Sequence, residues 1–95
     1  MQDKVYKKNP NFVAREIANE LVLVPIYKST EELNCIYTLN EHALYFWKLL
    51  DGKRTLENIK KELLKKFSSV ELDKNLEKLI KELLKIKAIK EANET

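Results

Sequence analysis

The chain has 95 residues, of which 44% are hydrophobic and 35% charged, and this fits one small domain because chains of this length rarely hold a second core. Its formal charge of +3 is milder than that of most dedicated nucleic-acid binders. One Cys cannot form an internal disulfide, no apolar stretch approaches the roughly 20 residues of a membrane span, and the start lacks the apolar core of a signal peptide. These features predict a cytoplasmic protein.

Groups that carry chemistry are sparse. A phosphate-cradling loop uses two or three glycines so that the backbone can approach the ligand, and Gly52 is the only glycine. His42 is the only His and Cys35 the only Cys, and neither has a partner at a spacing typical of metal or nucleophile sites. We therefore predict no enzyme, no cofactor and no metal site.

The first half of the sequence predicts three antiparallel strands. Residues 1–11 are polar and lack periodicity, so we expect a loosely attached arm there. Residues 12–17 and 21–26 favour strands, with a short hairpin turn at Ala18-Asn19. The run from Cys35 to Leu39 predicts a third strand.

The second half predicts three helices, each with a recognisable N-cap. Asn40, Thr55 and Ser68 can cap the three helices, and the first should end at Asp51-Gly52. Ser68 followed three residues later by Glu71 is a capping-box signature. Three strands and then three helices predict an α+β domain over residues 12–90, followed by a frayed tail over residues 91–95.

Several segments resemble, in order and spacing, the PqqD-like proteins, the small recognition elements for ribosomally made, post-translationally modified peptides. They are residues 9–20, residues 37–40, Trp47, Asp51-Gly52 and Thr55. The likeness covers about residues 9–89. Two positions depart from it, because Asn19 and Lys87 stand where a Gly is common in turns.

The resemblance implies a winged helix-turn-helix-like domain that is not itself an enzyme. In that family the leader of a precursor peptide adds as a strand beside the third strand, and its side chains enter a groove between that strand and the third helix. The domain thereby delivers the peptide to a modifying enzyme, often a radical S-adenosylmethionine protein. For this chain the implied partners are a leader peptide and such an enzyme, with no nucleic acid, membrane or cofactor.

The residues themselves point to the same strand. The first strand carries Arg15 and Glu16, whereas Cys35 to Leu39 contains no charge, Pro or Gly and is the less protected edge. Such an edge offers alternate N–H and C=O groups to an extended peptide. The alternative is that the Lys-rich arm covers this edge. The edge could also pair with its own copy, which leaves both a monomer and a weak homodimer open.

The third helix predicts the other wall of the site. Its apolar residues from Leu72 to Ile86 spread over roughly 160°, wider than the ~100° stripe of one packing contact. We hypothesise that the Leu72, Leu76 and Leu79 side of this arc forms a groove floor, with Asn75 and Lys78 at its rim. The alternative is that every apolar residue is core. The predicted peptide-binding residues are Cys35, Ile36, Tyr37, Thr38, Leu72, Asn75, Leu76, Lys78 and Leu79.

A DNA-binding transcriptional regulator is the rival hypothesis, because a winged helix uses similar elements and inserts its recognition helix into the major groove. Arginine is the usual reader of guanine, yet Arg15 and Arg54 are the only arginines and neither lies on the third helix. The lysines of the second and third helices are interleaved with acidic residues, so their field partly cancels. A protein-interaction or structural role is a further alternative.

Overall fold

A computed structural model describes residues 4–26 and 36–92 of the chain. In chain order the elements are β1 (Tyr6–Lys8), β2 (Phe12–Ile17), β3 (Glu20–Pro25), β4 (Tyr37–Leu39), α1 (Glu41–Leu49), α2 (Leu56–Leu63), α3 (Ser69–Lys85) and β5 (Ile89–Glu91). The antiparallel sheet β2-β3-β4 followed by three helices confirms the predicted α+β class. None of the described helices is long and apolar enough to cross a membrane.

The β2-β3 hairpin closes at the predicted turn. The strands pair from Phe12 opposite Pro25 to Ile17 opposite Glu20, which leaves two residues for the loop. Those residues, Ala18 and Asn19, have φ angles of 52° and 63°, the two positive values that a type I′ turn requires. Asn tolerates this left-handed conformation better than Ala does.

The sheet presents one face to the helices. β4 pairs with β3 in the register Leu21 opposite Leu39 and Leu23 opposite Tyr37. Because side chains alternate along a strand, these four residues share a face, and Leu21 and Leu23 are fully buried. Tyr37 and Leu39 are half-buried and pack against the same core.

All three predicted helix caps are confirmed by their hydrogen bonds. The Asn40 side-chain oxygen accepts from the Ala43 N–H at 3.1 Å, and Thr55 and Ser68 accept from the backbone of the third residue after each. Such bonds satisfy N–H groups that the first turn leaves without helical partners.

The end of α1 differs from the prediction. The helix stops at Leu49 rather than at Asp51-Gly52. The Asp51 carboxylate accepts hydrogen bonds from the backbone N–H groups of Lys53 and Arg54 at 2.9 and 2.8 Å, so it organises the next turn instead. Gly52 supplies the positive φ of 77° within that turn.

One apolar core joins the sheet to the three helices. Its largest fully buried side chains come from β3, β5 and every helix, and they are Leu21, Leu23, Phe46, Ile59, Leu72, Leu83 and Ile89. Leu72 and Leu83 of α3 therefore share one core cluster with Leu21 and Leu23 of β3, although these strands and helices lie far apart in the sequence.

A second sheet forms between the two ends of the chain. The segment expected as a loose arm contains β1, which pairs in antiparallel register with β5. Strand β5 lies almost wholly before the tail expected to fray and includes only its first residue, Glu91. Tyr6 and Ile89 are both buried and anchor the two strands. Strands of three residues give too little periodicity to detect, and their partners lie more than 80 residues apart in the sequence.

The C-terminus of α3 turns into β5 through a Schellman motif. The Ala88 N–H donates to the Leu83 carbonyl at 2.9 Å, and the Lys87 N–H donates to the Leu84 carbonyl at 3.0 Å. Lys87 has a φ of 67°, a conformation that favours Gly. The positive φ explains why Gly is common at this position among the proteins that the sequence resembles. The side-chain amide of Asn9 also donates to the Lys87 carbonyl at 2.7 Å.

Candidate functional site

The β4 strand lies at one edge of the three-stranded sheet. The order β2-β3-β4 gives it a single neighbour among the described strands. The described part of the Lys-rich N-terminal segment pairs elsewhere, since β1 lies beside β5 in the other sheet. Thr38 is exposed in the middle of β4, and Ile36, just before it, is 61% exposed. Cys35 lies outside the described residues.

Beside β4 runs a groove whose other wall is α3. This part of the groove, which we call the upper pocket, has a volume of about 280 Å³. Its lining residues come from β4, the start of α1 and the middle of α3, and they are Thr38, Leu39, Asn40, His42, Asn75, Lys78, Leu79 and Glu82. The structure therefore brings together four of the predicted site residues, namely Thr38, Asn75, Lys78 and Leu79.

Two of the predicted residues line a different cavity, although Leu72 lies only about 20° from Leu79 around the axis of α3. Leu72 is fully buried and Leu76 is 8% exposed. Both line a separate cavity of about 490 Å³ between α3, α2 and the N-terminal segment, which we call the rear cavity. The wide apolar arc of α3 is thus divided between two surroundings, and of the three leucines proposed as a groove floor, Leu79 alone lines the upper pocket.

The groove continues beyond β4 toward the end of α3. This second part, which we call the lower pocket, has a volume of about 650 Å³. It is lined by Asn9, Asn11, Phe12, Pro25, Tyr37, Lys85, Ile86 and Lys87. Tyr37 is the predicted site residue found here. The lower pocket follows the upper pocket along α3: residues from Asn75 to Glu82 line the upper pocket, and residues from Lys85 to Lys87 line the lower one.

Four lining residues of the upper pocket were absent from the predicted set: Leu39, Asn40, His42 and Glu82. Two signals in the sequence could have indicated them. Asn40 caps a helix that begins directly after β4, so the first turn of α1 must lie near the end of that strand. Glu82 follows Lys78 and Leu79 by four and three residues, which places it on the same face of α3.

His42 closes the upper end of the groove. Its ring packs against Phe67, with centroids 4.3 Å apart. The imidazole Nε2 is buried without a hydrogen-bond partner and lies 3.8 Å from a Glu71 carboxylate oxygen. Glu71 also accepts a hydrogen bond at its backbone carbonyl from the Asn75 amide at 2.7 Å. This bond turns the Asn75 side chain back along α3.

The groove combines three kinds of group that can bind an extended chain. Backbone groups lie along one wall, the Leu79 and Ile86 side chains provide apolar contacts, and Lys78 and Glu82 place opposite charges at the rim of the upper pocket. Within residues 4–26 and 36–92, no three His, Cys, Asp or Glu side chains are grouped so that they could hold a metal ion. An extended peptide matches this combination of features.

Comparisons with known proteins agree with this geometry. A solved structure described as TbiB1 in complex with the TbiA(beta) leader peptide has a similar fold, with a TM-score of 0.69 at 17% identity, and the match covers 88% of this chain and 94% of that one. No curated protein matches the sequence significantly. The family model for Coenzyme PQQ synthesis protein D (PqqD) matches residues 16–89, which is most of the chain. The chain therefore belongs to the PqqD family.

Proposed function

We propose that the protein captures the leader of a ribosomally made precursor peptide and presents it to a modifying enzyme. The observation that carries this proposal is the position of β4, at a sheet edge and directly beside the groove formed with α3. It is supported by membership of the PqqD family and by the fold shared with TbiB1, which was solved with a leader peptide.

Recognition would proceed by strand addition. An extended leader laid beside β4 would exchange backbone hydrogen bonds with residues near Ile36 and Thr38, which supplies affinity with little dependence on sequence. Alternate leader side chains would point into the groove, because side chains of a strand alternate between its faces. Leu79 and Ile86 would then select apolar leader residues, while the outward side chains stay available to the partner enzyme.

In this proposal the protein makes and breaks no covalent bond and holds no cofactor. The modifying enzyme supplies the chemistry, and the family resemblance points to a radical S-adenosylmethionine protein as one such enzyme. Residues 38, 75, 78 and 79 form the proposed contact with the leader, together with the backbone around Ile36 and Tyr37. We place the complex in the cytoplasm.

The positions of the arginines and of α3 favour peptide binding over DNA binding. Arg54 is held by the Asp51 carboxylate at 3.4 Å and donates to the Leu49 carbonyl at 3.1 Å, so its guanidinium stabilises a turn. Arg15 lies in β2, away from α3. One face of α3 lines the upper pocket with Asn75 and Leu79, whereas a recognition helix has to enter the major groove.

Titration by NMR tests the proposal on the native protein. Peptides made from the N-terminal halves of small precursors of the source cell would be added to ¹⁵N-labelled protein. We expect shifts confined to residues 36–42 and to the groove-facing residues of α3. Shifts spread over the lysine-bearing faces on addition of duplex DNA, with none from any peptide, would contradict the proposal.

A pair of substitutions on α3 tests the groove itself. Leu79→Asp places a charge in the upper pocket and should weaken leader binding at least about tenfold, because a buried apolar contact is lost and the carboxylate is desolvated. Leu84→Asp is the matched control, since Leu84 is 38% exposed on the other side of α3. Circular dichroism would establish that both variants fold. Equal affinity of a folded Leu79→Asp variant would remove the upper pocket from the site.

A further inference from the structure

The two pockets of the groove differ in charge. In the upper pocket the ammonium of Lys78 is balanced by the carboxylate of Glu82. The lower pocket is lined by Lys85 and Lys87, and none of its described lining residues is a carboxylate. The difference matters because a leader strand beside β4 would send side chains into both pockets.

Neither lysine of the lower pocket is neutralised within the part of the chain that the structure describes. Lys85 and Lys87 are exposed and make no ion pair with a described residue, in contrast to Lys4, Lys48 and Lys60, which pair with carboxylates at 3.0 to 3.1 Å. The remaining polar groups of the lining are the Asn9 and Asn11 amides and the Tyr37 phenol. The side-chain amide of Asn11 can donate a hydrogen bond to an anion.

The C-terminal carbonyls of α3 would normally oppose an anion at this end of the helix. Two of these carbonyls, those of Leu84 and Leu83, are already occupied, since the N–H groups of Lys87 and Ala88 donate to them. The Asn9 amide likewise donates to the Lys87 carbonyl. Among the described residues that line the lower pocket, the two lysines are the only charged ones.

We infer that the lower pocket reads an acidic side chain of the bound leader. This inference rests on the proposed function and narrows its ligand to a strand with an apolar residue for the upper pocket and an Asp or Glu for the lower one. Leu79 and Ile86 are seven residues apart, about 10 Å along the helix. A strand rises about 3.3 Å per residue and repeats its faces every two residues, so the acidic and apolar residues should be two or four positions apart.

The test uses a display library of random octapeptides selected on the immobilised native protein, so it does not require the natural leader. Selected peptides should carry Asp or Glu two or four positions from an apolar residue. For one of them, replacement of the acid by Gln should weaken binding about threefold to tenfold, the range expected of exposed ion pairs, and high salt should remove the difference.

A charge swap identifies the lysines responsible. The double variant Lys85→Glu/Lys87→Glu should prefer the same peptide with Lys in place of its acid. The control variant Lys61→Glu/Lys66→Glu changes the net charge equally on exposed positions outside both pockets and should keep the native preference. Selected peptides that bind without any preference for an acid would overturn this inference and leave the proposed function intact. If no peptide is selected, both the inference and the proposed function fail.

Discussion

The two sides of α3 show how one helix can serve both the core and a binding site. The rear side carries Leu72 and Leu76, which pack with α2 and the N-terminal segment. The groove side carries Asn75, Lys78 and Leu79, which face β4 across the upper pocket. The rear side is the more apolar of the two, although it is the groove side that lies next to an edge strand.

This difference teaches that apolar content alone does not locate a peptide-binding surface. A strand-adding ligand obtains much of its affinity from backbone hydrogen bonds, so the surface it contacts can be partly polar. A core has no such compensation and must be apolar. Position beside an edge strand is therefore the better criterion for the site, since burial does not separate Leu79 from Leu76, which are 7% and 8% exposed.

The largest expected effect is on the free energy of unfolding, which should fall far more for a substitution on the rear side of α3 than for one on the groove side. Leu72→Ala removes a fully buried side chain from the rear side and should lower the free energy of unfolding by about 3 kcal/mol, because it deletes apolar contacts and leaves a cavity. Asn75→Ala is the matched substitution on the groove side. Its amide bonds only to the preceding turn of the same helix, so unfolding should change by at most about 0.5 kcal/mol.

Urea unfolding followed by circular dichroism measures the stability of both variants, and Leu72→Ala should show the larger loss. Peptide titration measures their affinity, and here Asn75→Ala should show the larger change. The folded fraction of Leu72→Ala should bind leader peptides as the native protein does, whereas Asn75→Ala should alter affinity by about threefold. A stable Leu72→Ala variant with impaired peptide binding would show that the two sides are not separate.

The sequence was most informative where one residue determines local geometry. Asn40, Thr55 and Ser68 each cap a helix because their side chains reach an N–H three residues ahead, and this requires no knowledge of the fold. Ala18-Asn19 falls between two runs of strand-forming residues, which fixes the hairpin. The uncharged β4 strand also stood out, and the structure places it at an edge of the sheet.

Long-range pairing was beyond such reasoning. β1 and β5 each have three residues, and only the approach of the two chain ends makes them strands. The division of α3 between the rear and groove sides likewise depends on where β1 and α2 lie. Leu72 and Leu79 have the same chemistry and differ only in the surfaces they meet. Periodicity could therefore predict how wide the apolar arc of α3 is, but not which of its residues face the rear cavity and which face the upper pocket.

The next prediction concerns Lys87, in the turn that follows α3. Lys87→Gly should stabilise the fold by about 1 kcal/mol, because Lys87 holds a φ of 67° that costs a side chain more than it costs Gly. The same change removes one ammonium from the lower pocket and should weaken the binding of acidic peptides. Thermal unfolding should therefore show a gain in stability, while peptide titration should show a loss of affinity for acidic peptides.

Lys87→Asn is the control for that position, since Asn tolerates the left-handed conformation and also lacks the charge. Its stability should fall between those of the native protein and Lys87→Gly, with the same loss of affinity for acidic peptides. If Lys87→Gly binds acidic peptides as tightly as the native protein, the lower pocket reads them through Lys85 alone.

The smallest expected effect lies in the turn after α1 and should leave both sides of α3 unchanged. Hydrogen bonds from the backbone N–H groups of Arg54 and Lys53 lower the pKa of the Asp51 carboxyl below its ordinary value. A group whose pKa is lower in the folded state stabilises that state above its unfolded pKa, and this contribution disappears as the pH falls through the folded value.

Asp51→Asn isolates this contribution, because the amide oxygen can still accept hydrogen bonds but does not titrate. The native protein should be the more stable of the two at neutral pH, and the difference should vanish once the pH falls well below about 4. Urea unfolding at a series of pH values measures it, and peptide affinity at neutral pH should be the same for both proteins. A stability difference that persists in acid would mean that Asp51 acts through shape and hydrogen bonding rather than through its charge.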